Sequence, residues 1–380
     1  MSPVPSAGRE LHVELVEDLE LLRDDWLGLG ERTGNLFATW DWNSLWWQQM
    51  GRGRRLMAAT VRDDAGALVG LLPAYLAIAA GPARVMRLLG HGQGDRLGPI
   101  CLPADRARVS AVLRAGLRTR PWARALLLAE QLPAEEGWSA LLGARPVSQE
   151  ASPVLELTTR DWEEFLAGRS ANFRQQVRAK ERRLARAHDL RYRLVDDAHA
   201  LPAALDTLFG LHGTRWGDEG APAFGQAQAF HRAFAARAQE RGWLRLWLLE
   251  VDGRAVAAWH GFRFGGADWY YQSGRDPAWD RQSVGAVLLA HTIRDCVEAG
   301  IPRYLLLRGD EAYKERFATS DPGLETVAIA AGLTGRTALA ALDGVARLTP
   351  ARRRSIARRL RRWRSARLPY RFAPNADSGS

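Results

Sequence analysis

The chain has 380 residues, of which 47% are hydrophobic and 25% charged, which is enough to bury sizeable cores and favours two domains over one. The formal net charge is +10, yet residues 351–380 carry ten arginines against one acid, so the rest of the chain is nearly neutral. Two cysteines far apart in the sequence, Cys101 and Cys296, exclude a disulfide scaffold and a cysteine-based zinc site.

The amino-terminal segment predicts a protein that stays in the cytoplasm. Residues 1–20 have no basic stretch followed by an apolar core, which a secretory signal requires. The longest uncharged run, residues 65–83, contains three glycines and two prolines, which suits strands and turns better than a membrane-spanning helix. We therefore expect no transmembrane segment.

The first half begins with a predicted strand and two helices, the second of which is rich in tryptophan. Trp40, Trp42, Trp46 and Trp47 recur at helical spacing, and we interpret them as packing residues rather than as an aromatic platform for a ligand. A hairpin, further extended segments and a helix follow. The predicted elements are the strand Leu11–Val16, the helices Leu19–Leu29 and Trp40–Met50, the hairpin Arg55–Arg62 with Ala67–Leu76, the extended segments Arg84–Leu89 and Leu97–Cys101, the helix Ala104–Leu117 and the extended segment Arg124–Glu130.

The second half repeats this order more clearly, after a polar helix with a net positive face. Three strands joined at Asp252-Gly253 and Gly265-Gly266 form a predicted antiparallel meander, and a loop, an amphipathic helix and a buried strand follow it. This echo indicates an internal duplication with domains at 1–157 and 158–331 and a basic tail at 332–380. The predicted elements are the helices Asn172–His188, Leu201–Leu211, Gln226–Arg241 and Ala286–Ala299, the meander within 243–274, and the strand Ile301–Leu307.

The loop before the helix Ala286–Ala299 is the first candidate site. Several backbone N–H groups at a helix start have no intrahelical partner, and such a terminus attracts phosphate. Gly285 would let a pyrophosphate approach the backbone, and Arg281 would add charge-assisted hydrogen bonds. Helix capping is the alternative reason for the same small residues. The candidate binding residues of this loop are Arg281, Gln282, Ser283, Val284, Gly285 and Ala286.

A second candidate site follows the buried strand, in the segment GDEAYKERF. Lys314 is one of only two lysines among 53 basic residues, and an ammonium group suits a developing oxyanion or a phosphate. Tyr313 is a candidate proton donor, and Asp310 and Glu311 are candidates for orienting or deprotonating an amine. A surface lysine and a helix cap are the alternative interpretations.

Three polar residues outside these two segments, Arg215, Trp216 and His260, are candidates for binding a substrate. The eight histidines are dispersed and form no His-x-x-His or His-Glu-x-x-His pair, so we expect no catalytic metal. The chain contains no Gly-x-Ser-x-Gly elbow and no Gly-Lys-Ser/Thr phosphate loop. These absences argue against a serine hydrolase and a nucleotide hydrolase.

The order of meander, RQSVGA loop, amphipathic helix, buried strand and Tyr-Lys pair resembles the GNAT acyltransferase superfamily, and more narrowly its CelD/BcsL-like branch. The resemblance covers roughly residues 10–331. It implies an α+β fold of two tandem GNAT-like domains, each a mixed, mostly antiparallel sheet flanked by helices, with a basic helical tail. The architecture is similar to that of the Fem-type aminoacyltransferases. The matching segments are LFATWDWNSLWW, SPVLEL, NFRQQVRAKERRL, YYQSGRDPAWDRQSVGAVLLAHTI and LLLRGDEAYKERF.

The resemblance also implies a reaction, in which acetyl-CoA or another acyl-CoA is the co-substrate and no metal takes part. The superfamily's phosphate-binding pattern matches Gln282 and Gly285, whereas Val287 stands where a small residue is usual. By the same resemblance Lys314 would stabilise the tetrahedral intermediate and Tyr313 would protonate the thiolate. The strand residues Tyr271, Gln272 and Ser273 would bind the donor.

The acceptor implied is an amine of a small molecule or of a cell-envelope precursor, and the first half would be a scaffold or an acceptor-binding copy. One alternative is a Fem-type transferase that uses aminoacyl-tRNA, favoured by the positive helix Arg174–Arg191 and the tail. Another is a degenerate scaffold whose residues 351–372 rest on an anionic membrane surface, with Ile356, Leu360 and Trp363 as apolar anchors.

Overall fold

The computed structural model describes residues 10–77, 84–119, 121–216, 224 and 227–346. Within them, three mostly antiparallel sheets are flanked by helices, which confirms the predicted α+β fold. The basic tail at 351–372, with its predicted membrane contact, lies outside the described residues. No helix in the described ranges is both long and apolar enough to cross a bilayer.

The first half contains two of the three sheets. One has the strand order β1-β3-β4-β7 and the other begins β2-β5-β6-β8. Its elements are β1 (Leu11–Val16), α1 (Arg23–Arg32), α2 (Trp40–Met50), β2 (Arg55–Leu56), β3 (Ala58–Asp63), β4 (Leu68–Leu72), β5 (Ala74–Ala77), β6 (Arg84–Leu88), β7 (Ile100–Cys101), α3 (Arg106–Gly116), β8 (Ala125–Pro133), α4 (Trp138–Leu141) and β9 (Arg145–Glu150).

The second half is built on one sheet with the order β10-β15-β14-β13-β12-β11. The predicted meander β12-β13-β14 and the polar helix α6 are confirmed. Its elements are β10 (Val154–Glu156), α5 (Trp162–Ala167), α6 (Ala171–Ala187), β11 (Leu190–Leu194), α7 (Leu201–Trp216), α8 (Gln228–Glu240), β12 (Leu244–Val251), β13 (Arg254–Phe264), β14 (Ala267–Arg275), α9 (Val284–Glu298), β15 (Arg303–Leu305), α10 (Ala312–Phe317), β16 (Leu324–Ala330) and α11 (Leu333–Ala346).

Each half contains a parallel pair of strands with a helix between them in sequence, and this is the feature that the two halves have in common. In the first half β6 pairs in parallel with β8, and α3 lies between them in sequence. In the second half β14 pairs in parallel with β15, and α9 connects them. A parallel pair requires such a crossover because a tight turn cannot join two strands that run the same way.

Strand pairing crosses the predicted boundaries between the halves. The strand β16, from the predicted second domain, hydrogen-bonds between β8 and β9 in the first half's sheet. The helix α11, in the predicted tail, packs on β8 and β16. In the other direction, β10 lies just before the predicted boundary and pairs with β15. The division at 157 and 331 stays a prediction, and each half contributes a strand to a sheet of the other half.

The tryptophans of α2 form part of the contact between the halves. The Trp42 side chain has no exposed area, and its ring centroid lies 4.9 Å from that of Phe230 and 4.7 Å from that of Phe234, both on α8. Edge-to-face geometry at these distances stabilises an aromatic cluster beyond simple burial. The prediction that these tryptophans are packing residues is confirmed, and the cluster fixes α8 against α2.

Candidate functional site

The site begins where β14 and β15 separate. Their parallel pairing runs only as far as Trp269 opposite Leu305, although β14 continues to Arg275. The chain after β15 turns away, with the Leu306 N–H donating to the Pro153 carbonyl oxygen at 3.0 Å. One edge of β14 therefore loses its strand partner. An unpaired strand edge presents N–H and C=O groups that an extended ligand can bind.

A cavity of about 430 Å³ fills the space beside this edge. Its walls come from β13, β14, the start of α9, α10 and α6. Apolar side chains from α9 and α10 line it, together with polar side chains from α6, β14 and the loop before α9. Residues that line it include Lys180, Trp259, Ser273, Gly285, Leu288 and Phe317.

The first turn of α9 forms one end of this cavity. Ser283 immediately precedes the helix and has a positive φ of 58°, which turns the chain sharply into it. A Cβ at Gly285 would meet only the Cδ atom of Arg275, at 3.3 Å, so the glycine leaves the backbone of this turn accessible. The Arg275 guanidinium donates to the Asp280 carboxylate at 2.6 Å beside the same turn.

The predicted loop residues divide between those that line the cavity and those that do not. Ser283, Gly285 and Ala286 line the cavity, whereas Arg281 is exposed and does not line it. Val284 is fully buried in the core instead. Val287, which departs from the superfamily pattern, is also buried among apolar side chains and does not occupy the cavity. Gln282 is half-buried, outside the cavity lining.

A second cavity of about 120 Å³ adjoins the first. It is lined by polar residues of the segment between β15 and α10, by the edge of β14, and by Asp95 from the first half. Tyr271 and Gln272, predicted to bind the donor, line this smaller cavity. Because Asp95 comes from a loop of the first half, the cavity is closed only when both halves are present.

Lys314 is held at the wall of the smaller cavity. Its side chain is 5% exposed, and its Nζ atom donates to the Arg308 carbonyl oxygen at 2.6 Å. The same Nζ atom lies 2.9 Å from Oε2 of Glu311. An ammonium group has three protons to donate, so the hydrogen bond to the Arg308 carbonyl oxygen and the ion pair with Glu311 leave donor capacity for a ligand in the cavity.

A row of hydroxyl groups joins the two cavities. The Tyr313 hydroxyl donates to that of Tyr270 at 3.2 Å, and the Tyr270 hydroxyl lies 2.7 Å from Oγ of Ser273. All three residues line both cavities. Tyr313 and Lys314 are neighbours in α10, and both face the smaller cavity, so the predicted Tyr-Lys pair is brought together.

The remaining candidates lie elsewhere. Asp310 is exposed and lines neither cavity, so the structure does not bring it to the site, whereas Glu311 is present there. His260 is 1% exposed within β13 and packs against Phe262 and Tyr271 instead of facing a cavity. Burial lowers its pKa to about 3, so it is neutral at physiological pH. The Arg215 and Trp216 side chains lie outside the described residues.

Sequence reasoning missed Asp95, which is the first half's contribution to the site. Its side chain is 13% exposed and lies 3.8 Å from the Arg308 guanidinium. Burial raises the pKa of this carboxyl, with Arg308 acting in the opposite direction. The local signal was a lone acid in the glycine-rich segment GHGQGDRLG, but its partner is more than 200 positions away.

Lys180, which is not among the candidates from the sequence, also lines the larger cavity. No described group of three His, Cys, Asp or Glu side chains is arranged to hold a metal ion. The polar groups that line the two cavities are ammonium, guanidinium, carboxylate, phenol, serine hydroxyl, side-chain amide and backbone N–H. Such groups suit binding of an anionic donor and stabilisation of charge at a carbonyl.

Comparison with known proteins gives this site a family context. Residues 171–315, which contain α6, α9 and most of α10, match the acetyltransferase (GNAT) domain family. Most of the residues that line the two cavities lie within this matched segment. The narrower CelD/BcsL-like resemblance stays a prediction, and no curated protein matches the chain.

The fold of most of the chain is shared with solved structures of low sequence identity. FemX is 10% identical with a TM-score of 0.56, over 82% of this chain and 95% of that one. The C-terminal domain of a putative lysylphosphatidylglycerol synthetase from Agrobacterium fabrum is 13% identical with a TM-score of 0.56, over 86% and 96%. L-PGS from Bacillus licheniformis is 14% identical with a TM-score of 0.51, over 83% and 92%. The similarity is one of fold.

Proposed function

We propose that the chain is an N-acyltransferase that moves an acyl group from acyl-CoA to an amine. The donor would bind in the larger cavity and the amine would enter through the smaller one. The observation that carries this proposal is the continuity of the site. The strands separate after Trp269, and the two cavities lie beside the free edge of β14. The row of hydroxyl groups, which lines both cavities, connects the start of α9 with Lys314.

The start of α9 fits the phosphates of a coenzyme A donor. The accessible backbone at Gly285 supplies N–H groups at the positive end of a 15-residue helix. The nearby Arg275 guanidinium can exchange its Asp280 partner for a phosphate oxygen. The thioester arm would then extend along the free edge of β14 toward Ser273 and Tyr313. The amide groups of this arm would form the hydrogen bonds that a neighbouring strand would otherwise make with β14.

Lys314 would act on the carbonyl oxygen of the thioester. When the amine attacks, negative charge develops on the carbonyl oxygen, and a preorganised ammonium proton lowers the energy of that state. Arg308 and Glu311 hold the Lys314 side chain, so no reorganisation is needed at that moment. This placement agrees with the role that the family resemblance implies for Lys314.

Proton transfers would complete the reaction. The N–C bond forms first and gives a tetrahedral oxyanion; the carbonyl then re-forms as the C–S bond breaks, and Tyr313 protonates the departing thiolate, with Tyr270 and Ser273 beside it. The proton of the attacking amine passes to a carboxylate at the smaller cavity, for which Asp95 and Glu311 are the candidates. The acceptor class, an amine of a small molecule or an envelope precursor, fits a polar cavity with an acidic wall.

Transfer from aminoacyl-tRNA is a second candidate, favoured by one surface. Arg178, Arg182, Arg183 and Arg186 are exposed on α6, the helix that contributes Lys180 to the larger cavity. An exposed arginine row beside a donor cavity suits a phosphate backbone. RNA binding through that row would weaken steeply as salt is raised, because each neutralised phosphate releases counterions.

Calorimetric titration with acetyl-CoA tests the first proposal. Wild-type protein should bind saturably, and Gly285→Glu should bind at least about tenfold more weakly, because a carboxylate at this helix start repels phosphate. The matched control is Gly28→Glu in α1, where a Cβ meets nothing within 4 Å. Binding that survives Gly285→Glu unchanged would refute the donor site. Absence of acetyl-CoA binding by wild-type protein would favour the tRNA candidate.

A further inference from the structure

Both lysines of the chain lie at the two cavities. Lys314 lines the smaller cavity and Lys180 lines the larger, in a protein with 53 basic residues that otherwise uses arginine. Lysine differs from arginine in offering a compact, strongly hydrated point charge with three freely rotating donors. The placement of both lysines at one site gives Lys180 a role to be explained.

Lys180 occupies a position in α6 that packing would assign to an apolar residue. Phe173, Val177 and Leu184 form the inward stripe of this helix, and Lys180 falls three residues after Val177 and four before Leu184. Residues at this spacing share one helix face. A leucine there would add buried apolar area, whereas a lysine brings a cost of desolvation.

The charge of Lys180 is not neutralised within the described part of the chain. No acidic side chain described here forms an ion pair with it, and the Asp280 carboxylate in the same cavity is paired with Arg275. Burial lowers the pKa of the Lys180 ammonium, and the nearby Arg316 lowers it further. A ligand anion would relieve both effects, because it would pair with the cation and offset the repulsion from Arg316.

We infer that Lys180 binds an anionic phosphate group of the acyl donor in the larger cavity, and that its place in the α6 stripe is kept for this binding rather than for stability. The inference rests on the proposed function and specifies how its donor is recognised. Phosphate is the shared chemistry of two donor sources, the nucleotide portion of coenzyme A and the 3′ end of a tRNA. Lys180 serves either source by the same contact.

The test compares Lys180→Met with Arg23→Met, which removes one positive charge at an exposed position of α1, away from both cavities and from the arginine row of α6. Each variant is titrated with coenzyme A and, separately, with an RNA hairpin that ends in CCA, and its melting temperature is measured. We expect Lys180→Met to weaken binding of whichever probe wild-type protein binds by about tenfold. We expect its melting temperature to stay the same or rise, because methionine fits the apolar stripe without a buried charge. Arg23→Met should change neither the binding of either probe nor the melting temperature.

Three outcomes would overturn the inference. They are unchanged binding of the probe by Lys180→Met, a melting temperature that falls in step with the lost binding, and a wild-type protein that binds neither probe. The proposed function is judged separately. If wild-type protein binds the hairpin but not coenzyme A, the acyl-CoA donor is refuted and Lys180 is judged on the hairpin. If coenzyme A binding needs Gly285 but not Lys180, the donor site stands and the inference about Lys180 fails.

Discussion

The Nζ atom of Lys314 lies 2.9 Å from Oε2 of Glu311, one turn earlier in the chain. This pair lies at the wall of the smaller cavity, where the ammonium also donates to the Arg308 carbonyl oxygen. Glu311 therefore compensates the charge of a nearly buried lysine and also fixes its direction. A lysine held in this way can meet a developing oxyanion without moving.

Lys314→Ala should remove transfer without unfolding the protein. Loss of one preorganised donor to an oxyanion lowers kcat by about 10²- to 10³-fold. The measurement is release of free coenzyme A from acetyl-CoA in the presence of an amine acceptor, with a melting curve recorded on the same sample. Lys314→Arg should not restore the rate fully, because the planar guanidinium is larger and directs its donors differently. Unchanged turnover in Lys314→Ala would refute the assignment.

Asp95→Asn should change how transfer depends on pH. Burial raises the pKa of this carboxyl, so its proton-accepting form appears only as the pH rises through that raised value. The rate of a reaction that needs the carboxylate then falls on the acidic side. In Asp95→Asn we expect kcat/KM for the amine to drop about 10²-fold and the acidic limb due to Asp95 to disappear.

The matched control for Asp95 is Asp24→Asn, at an exposed position in the first turn of α1. It removes the same charge from the first half of the chain without touching the cavity. Its pH profile should match that of wild-type protein. If Asp95→Asn also retains the wild-type profile, the amine proton leaves by another group, and Glu311 becomes the remaining candidate at the cavity.

His260→Phe should make the fold less sensitive to acid. Burial lowers the pKa of His260 from its usual 6.5 to about 3, so between these values the ring is neutral when folded and protonated when unfolded. Unfolding then takes up a proton, and the free energy of unfolding falls as the pH falls, by about 1.4 kcal/mol per pH unit. The substitution removes this term, so the stability curve between pH 6 and 4 should flatten by about that slope.

Urea unfolding at several pH values measures the effect of His260→Phe. Neither ring nitrogen of His260 hydrogen-bonds within the described structure, so phenylalanine should cost little stability at pH 7. His199→Phe, at an exposed position, is the matched control and should leave the slope unchanged. The buried His231, whose pKa burial also lowers to about 3, will keep part of the acid sensitivity in both variants. An unchanged slope in His260→Phe would show that this ring is not neutral in the folded protein.

The parts of the fold that the sequence predicts best are those set by local signals. Both residues of the Asp252-Gly253 turn and both residues of the Gly265-Gly266 turn have positive φ, as tight hairpins require. These turns connect the three strands of the meander, as predicted. The predicted start of α9, at Ala286, lies two residues after the observed start at Val284. Side-chain period and turn chemistry act over a few residues, so they can be read directly from the sequence.

Long-range pairing could not be predicted in the same way. Nothing local shows that β16 inserts beside β8, because its apolar pattern suits a strand in either sheet. The meeting of Asp95 with Lys314 depends on how the two halves pack, and no spacing along the chain encodes it. Lys180 is different, because a lysine within the apolar stripe of an arginine-rich helix was visible in the sequence. The cavity that it lines is formed only by the folded chain.

The insertion of β16 sets a requirement on synthesis. In the sheet order β2-β5-β6-β8-β16-β9, the strand β9 has β16 as its neighbour and does not touch β8. A nascent chain that has emerged from the ribosome only through β9 leaves that strand without its partner and β8 with an open edge. This sheet can be completed only after residue 330 has been synthesised, so the amino-terminal half cannot finish folding before β16 is available. Translation arrest before that point should leave an aggregation-prone intermediate.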